Sequence, residues 1–115
     1  MIELDVMNYL AERTGYPAFL EEPDKAHRPG SYYLAEKLGS GEKDHITSVQ
    51  IAVQSYAPSL VEAMSLNHAA KAAMSGFIEL DRISRCRCVS DYNFTDTQTK
   101  RYRYQAVFDI TYYEE

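Results

Sequence analysis

From Arg101 onward the chain alternates: Tyr102, Tyr104, Ala106, Phe108, Ile110 and Tyr112 fall on one side of an extended backbone, and Arg101, Arg103, Gln105, Asp109 and Thr111 on the other. A period of two held over that length predicts a long antiparallel strand with one buried face, over 100–113. A strand of this kind near the end of a short chain has to close a sheet made upstream, and the upstream pattern supplies one. Residues 45–56 alternate Thr47, Val49, Ile51 and Val53 with Ser48, Gln50 and Gln54, and 31–38 and 83–92 read as further strands. Pro17 and Pro23 around Ala18-Phe19-Leu20 leave room only for a brief edge strand, because proline cannot donate to a ladder.

The period changes to 3.6 in two places. Over 2–14, Ile2, Val6, Tyr9, Leu10 and Arg13 share a stripe, with Glu3 and Asp5 near the positive helix end and Gly15 as terminator. Ser59-Leu60-Val61-Glu62 is a capping box opening a second helix that runs to about 75. Its predicted inner stripe is Leu60, Ala63, Met64, Asn67, Ala70, Lys71 and Met74, and Gly76 is its predicted carboxyl-terminal cap.

The connections are polar. Residues 23–30 form a loop, and Gly39-Ser40-Gly41-Glu42-Lys43-Asp44 predicts a flexible hairpin turn. For the last hairpin, charge suggests a register: with Arg85 opposite Asp109, Asp91 meets Arg103 and Cys88 meets Ala106. Arg87 and Arg101 are then left without cross-strand acids and are the arginines most available to a partner. The element order α-β-β-β-α-β-β predicts an α+β fold, two helices packed on one side of a mainly antiparallel sheet of four to five strands.

Length and charge narrow the function. The 115 residues suit one domain, 1–115, with one core. A net charge of -5 disfavours a protein whose own affinity for nucleic acid drives its role, since phosphate binding needs a basic surface. No apolar run reaches the ~20 residues of a membrane span, and Met1-Ile2-Glu3-Leu4-Asp5 lacks the basic start of a signal peptide, so the expected site of synthesis is the cytoplasm, with no membrane partner.

No residue set reads as an active site, so no cofactor is expected. Cys86 and Cys88 leave one strand face two positions apart, a poor geometry for a mutual disulfide, and are expected as small core residues. His27, His45 and His68 are scattered singly, so no metal site is expected. Gly39-Ser40-Gly41 leads into a strand, unlike a phosphate loop. Glu21, Glu22 and Asp24 beside Lys25 and Arg28 read as a solvated loop. The ten tyrosines suit interfaces and cores equally.

Several segments together resemble the tail terminator and head-tail completion proteins of long-tailed bacteriophages and prophages. They are the amino-terminal helix, Arg28-Pro29 leading into Tyr32-Tyr33-Leu34, the polar hairpin tip, the strand Val49 to Tyr56, the helix opening Ser59-Leu60-Val61-Glu62-Ala63, and the final strand opening Arg101-Tyr102-Arg103-Tyr104-Gln105. The resemblance covers nearly the whole chain; Tyr56 stands where many relatives carry tryptophan. It implies a virion structural protein and not an enzyme: a subunit of a homo-oligomeric ring, commonly a hexamer, that meets the tail tube and the head connector while DNA passes through its lumen. The acidic composition suggests a lumen along which DNA slides without sticking. Candidate protein contacts on this reading are Arg28, Lys43, Arg87 and Arg101, with segments 23–30 and 39–44. The competing readings are a small dimeric ligand-binding or enzyme-like α+β domain with a pocket between helix and sheet, and a bacterial regulatory partner protein.

Overall fold

The computed structural model describes residues 1–113. Two helices, α1 (Ile2–Thr14) and α2 (Leu60–Met74), lie against one face of a five-stranded sheet made of β1 (Ala18–Phe19), β2 (Tyr32–Lys43), β3 (Ile46–Ala57), β4 (Ile83–Asn93) and β5 (Tyr102–Tyr113). The strand order is β1-β2-β3-β5-β4, with β1 parallel to β2 and the other pairs antiparallel. This is the predicted α+β architecture with the predicted element order.

The core follows from the alternation. Val49, Ile51 and Val53 of β3 and Ala106, Phe108, Ile110 and Tyr112 of β5 meet Val6, Tyr9 and Leu10 of α1 and Leu66, Ala70 and Met74 of α2. α1 lies over β1 and β2, and α2 over β3 and β5. α1 ends at Gly15, which takes the left-handed φ of 80° that glycine adopts without steric cost. α2 begins at Ser59, whose hydroxyl accepts from the Glu62 amide, as the capping box requires.

Four expectations are corrected. The glycine-rich segment 39–44 is not a turn: β2 runs straight through it to Lys43, absorbing a bulge between Lys37 and Gly39, and Asp44-His45 alone reverses the chain. Both turn residues have positive φ (53° and 68°), the conformation whose twist matches a two-residue hairpin.

The buried arc of α2 is Ala63, Leu66, Asn67, Ala70 and Met74, while Leu60 and Met64 are exposed. The helix packs on α1 as well as on the sheet, which rotates its inner stripe toward Leu66. Nor does Gly76 act as a left-handed cap; the C-cap is Ser75 in a right-handed conformation.

The β4–β5 register differs too. Arg85 faces Thr111, Arg87 faces Asp109 and Cys88 faces Phe108, with bulges between Ile83 and Arg85 and between Cys88 and Ser90. The second bulge puts Asp91 opposite Ala106, on the helix side, where Lys71 donates to it at 2.8 Å. Exposed cross-strand charge pairs contribute only ~0.2–1 kcal/mol each, so two of them do not outweigh these alternatives.

Candidate functional site

The sheet face away from the helices carries the polar constellation of this molecule. Tyr32 and Tyr56, opposite each other on β2 and β3, stack with ring centroids 4.8 Å apart and planes 7° from parallel. The Arg101 guanidinium lies 4.7 Å from the Tyr56 ring centroid, and Arg103 lies 4.2 Å from that of Phe94. Each such contact is worth ~0.5–2 kcal/mol, rising as water is excluded.

Hydrogen bonds tie the cluster into the sheet. Arg103 donates to the Tyr56 hydroxyl at 2.7 Å, Tyr56 donates to Gln54 Oε1 at 3.0 Å, and Gln54 Nε2 donates to Gln105 Oε1 at 2.9 Å. Gln105 Nε2 in turn donates to the Tyr92 hydroxyl at 2.5 Å. Gln54 and Gln105 are buried polar residues, and this chain of partners offsets their desolvation.

Glu22 anchors the upper end. Its Oε1 accepts from Arg101 Nη2 and from the Tyr32 hydroxyl, and Arg28 lies 3.7 Å away. The Arg101 hydrogen bond holds the Glu22 carboxyl below its ordinary value, and the same contact raises Arg101. Burial, helped by Glu22, pushes the Tyr32 phenol up to about 12.

Two loops deliver these groups. In the loop after β4, Asp96 Oδ1 accepts from the Gln98 and Thr99 amides and Asp96 bridges to Arg101, winding the tip so that Lys100 takes a φ of 56°. The loop of residues 23–31 stands opposite. Between them lies an open cleft in two parts: about 160 Å³ lined by Arg28, Pro29, Tyr32, Tyr56, Lys100, Arg101 and neighbours, and about 500 Å³ lined by Lys25, Arg28, Thr99 and Arg101.

Of the residues singled out from the sequence, Arg28 and Arg101 are brought together here through Glu22. Lys43 lies exposed at the far end of β2. Arg87 is on β4, 3.9 Å from Asp109, which also accepts from Gln50 at 2.8 Å. Arg87 and Arg101 are therefore not the acid-free arginines the expected register made them. Glu22, which by its loop setting reads as solvated charge, is instead held by Arg101 and Tyr32. Its partner Arg101 is 79 positions away, and no local pattern marks the pair.

Cys86 is half-buried against the core, as expected, but Cys88 is exposed. Among the described residues no group of three or more His, Cys, Asp or Glu side chains is placed to hold a metal ion. Among them, too, no helix is long and apolar enough to cross a membrane. Compared with known proteins, the chain matches no family model and no curated protein at a significant level.

Proposed function

We propose that this chain is a structural protein of a phage or prophage virion, a tail terminator or head-tail joining subunit that closes with its own copies into a ring at the head-tail junction. The observation that carries this reading is a pair of unlike free flanks. On one side β4 ends the sheet, and all but two of its residues, Ile83 and Cys86, are exposed. On the other side β1 covers β2 only at Tyr33 and Leu34, so from Glu36 to Lys43 the outer edge of β2 is open and both faces of the arm are exposed.

An open edge presents unpaired backbone donors and acceptors, which a neighbouring strand satisfies. Two different flanks on one subunit fit the head-to-tail contact from which cyclic rings are built. The bulges and the Arg85 and Arg87 side chains of β4 blunt indiscriminate pairing and leave a shaped partner favoured. Apolar groups accompany both flanks: Leu38 and Ile46 on the arm and Val89 on β4. The tail tube and the head connector are the further partners of such a ring, and its role is mechanical, with no substrate or cofactor.

Light scattering during size-exclusion chromatography at rising protein concentration tests this, with negative-stain microscopy of the heaviest species. Rings are expected, and Leu38→Lys or Val89→Lys weakens association at least about tenfold, ~1.4 kcal/mol, with unchanged circular dichroism. A chain that stays monomeric at every concentration, alone and with a tail-tube protein, rules the reading out.

A second reading is a dimeric small-molecule-binding domain. It draws on an open cavity of about 410 Å³ on the helix-free face, where Gln50, Arg85, Arg87 and Asp109 converge. A stable dimer that retains a metabolite in that cavity would favour it.

A further inference from the structure

We propose that β4 of one copy pairs antiparallel with the open stretch of β2 in the next, in one defined register, so that a single sheet runs on from subunit to subunit. This rests on the ring reading and names the residues that meet in it. Three antiparallel pairings separate β2 from β4, so the two edge strands run in opposite directions. A closed ring has no rise from copy to copy. About an axis along the strands, it brings the neighbour's β2 beside β4 at the same height, antiparallel, with the helices still on one side.

The registers then say which residues meet. Through Ile51 and Phe108, Lys37 is level with Cys88; through Val49 and Ile110, Ser40 is level with Cys86. Their backbones are in step. Tyr33 donates its amide outward to the Pro17 carbonyl at 2.9 Å, so Lys37, an even number of residues along β2, also turns its N–H and C=O to the open edge. Ser40 does the same past the bulge, because its partner Val49 shares the parity of Ile51. On β5 the Arg103 carbonyl accepts from Phe94 of the β4 side, so Asp109, at even spacing, turns toward Arg87. Cys86 and Cys88, on either side of Arg87, are left facing outward. Each level pair therefore joins two outward-turned residues, which an antiparallel ladder requires.

Side chains fit the same register. Between those pairs, Arg87 is level with Gly39 through Asp109 and Gln50, and Arg85 with Gly41 through Thr111 and Ser48. These are the non-hydrogen-bonded positions, where Cα atoms approach to ~4.5 Å and two bulky side chains crowd each other. Within its own subunit neither glycine is needed: a Cβ at either would meet nothing within 4 Å, and neither has a positive φ. The neighbour's arginines supply the reason. Glu36, on the same face as Tyr32 and one same-face step from Gly39, has no ion-pair partner among the described residues and comes within diagonal reach of Arg87.

The test is oxidation of the assembled Lys37→Cys chain with copper phenanthroline, read by non-reducing electrophoresis and peptide mass mapping. Lys37 lies 3.9 Å from Glu3 in a partly exposed ion pair, so its loss costs the fold little. A hydrogen-bonded antiparallel pair holds its Cα atoms ~5.5 Å apart, a distance that a disulfide spans. Covalent multimers up to the full ring are expected, joined between position 37 of one copy and Cys88 of the next, and Cys88→Ser abolishes them. A bond from position 37 to itself, or from Cys88 to itself, reports a two-fold contact and overturns the proposal. Separately, Gly39→Lys, placing a cation against Arg87, weakens association at least about tenfold with unchanged circular dichroism. Rings that form without the bond between 37 and 88 and tolerate Gly39→Lys overturn this pairing but leave the ring standing, whereas an unaltered chain that forms no ring defeats both.

Discussion

Tyr9 and Gly76 are in contact such that a Cβ at position 76 would fall 2.7 Å from the Tyr9 hydroxyl. The backbone at Gly76, φ -93°, is open to any residue, so glycine is required here for space and not for conformation. Tyr9 cannot easily yield, since its ring packs edge-on against Phe77 at 5.2 Å with Arg13 lying 4.9 Å from its centroid. Gly76→Ala is expected to cost ~1–3 kcal/mol through overpacking, read as a lowered urea midpoint at constant m. The Tyr9 hydroxyl is buried without a hydrogen-bond partner, so Tyr9→Phe alone is neutral or stabilising. In the Tyr9→Phe background the Gly76→Ala penalty shrinks by roughly 1 kcal/mol, and an undiminished penalty would show that the hydroxyl is not the obstacle.

Acid should loosen the loop that carries Glu22. The Arg101 hydrogen bond lowers the Glu22 pKa from 4.5 in the folded chain, so the folded state holds its proton less tightly than the unfolded state does. Its contribution to stability is therefore present above about pH 4.5 and is lost as pH falls through the lower, folded value. Glu22→Gln removes that part of the acid limb in a stability-versus-pH series and lowers stability at neutral pH modestly, the site being partly exposed. An identical acid limb in the variant would dismiss Glu22 as a contributor.

The two cysteines should react unequally. Burial pushes the Cys86 thiol up to about 12, and partial burial together with the Asp91 carboxylate raises Cys88 as well. The thiolate is the reactive form, so both are slow at neutral pH. Alkylation followed by peptide mass mapping is expected to label the exposed Cys88 first, at a rate that climbs with alkaline pH, and Cys86 only under unfolding conditions. Faster labelling at Cys86 would contradict the packing described for β4.

The sequence exposed what depends on neighbours in the chain. The helix of residues 2–14 with its Gly15 stop, the Ser59–Glu62 cap and the alternation of β3 and β5 are local patterns, and each is found where the pattern puts it. Leu60 and Met64 fall outside the buried arc because helical period alone does not say where that arc is centred; the contact of α2 with α1 decides that, through Leu66. Charge pairing does not give the β4 register because two bulges, which no residue pattern marks, shift it, and Asp91 finds its partner in Lys71 on a different element. Glycines at 39 and 41 signalled a turn that the strand simply crosses, since Asp44 and His45 supply the positive φ instead. The cleft was legible only in part: Arg28 and Arg101 stood out, while Glu22, Tyr32 and Tyr56 join them solely through the sheet.

The strand order has a kinetic consequence. β2 with β3 and β4 with β5 are hairpins whose partners are close in sequence, but the seam joining them, Val53 against Ala106, has all of α2 between its sides. Each hairpin forms by a short closure, whereas the seam must recruit a long intervening segment before any contact repays it. By that reckoning the seam, and not either hairpin, is the slow contact to form.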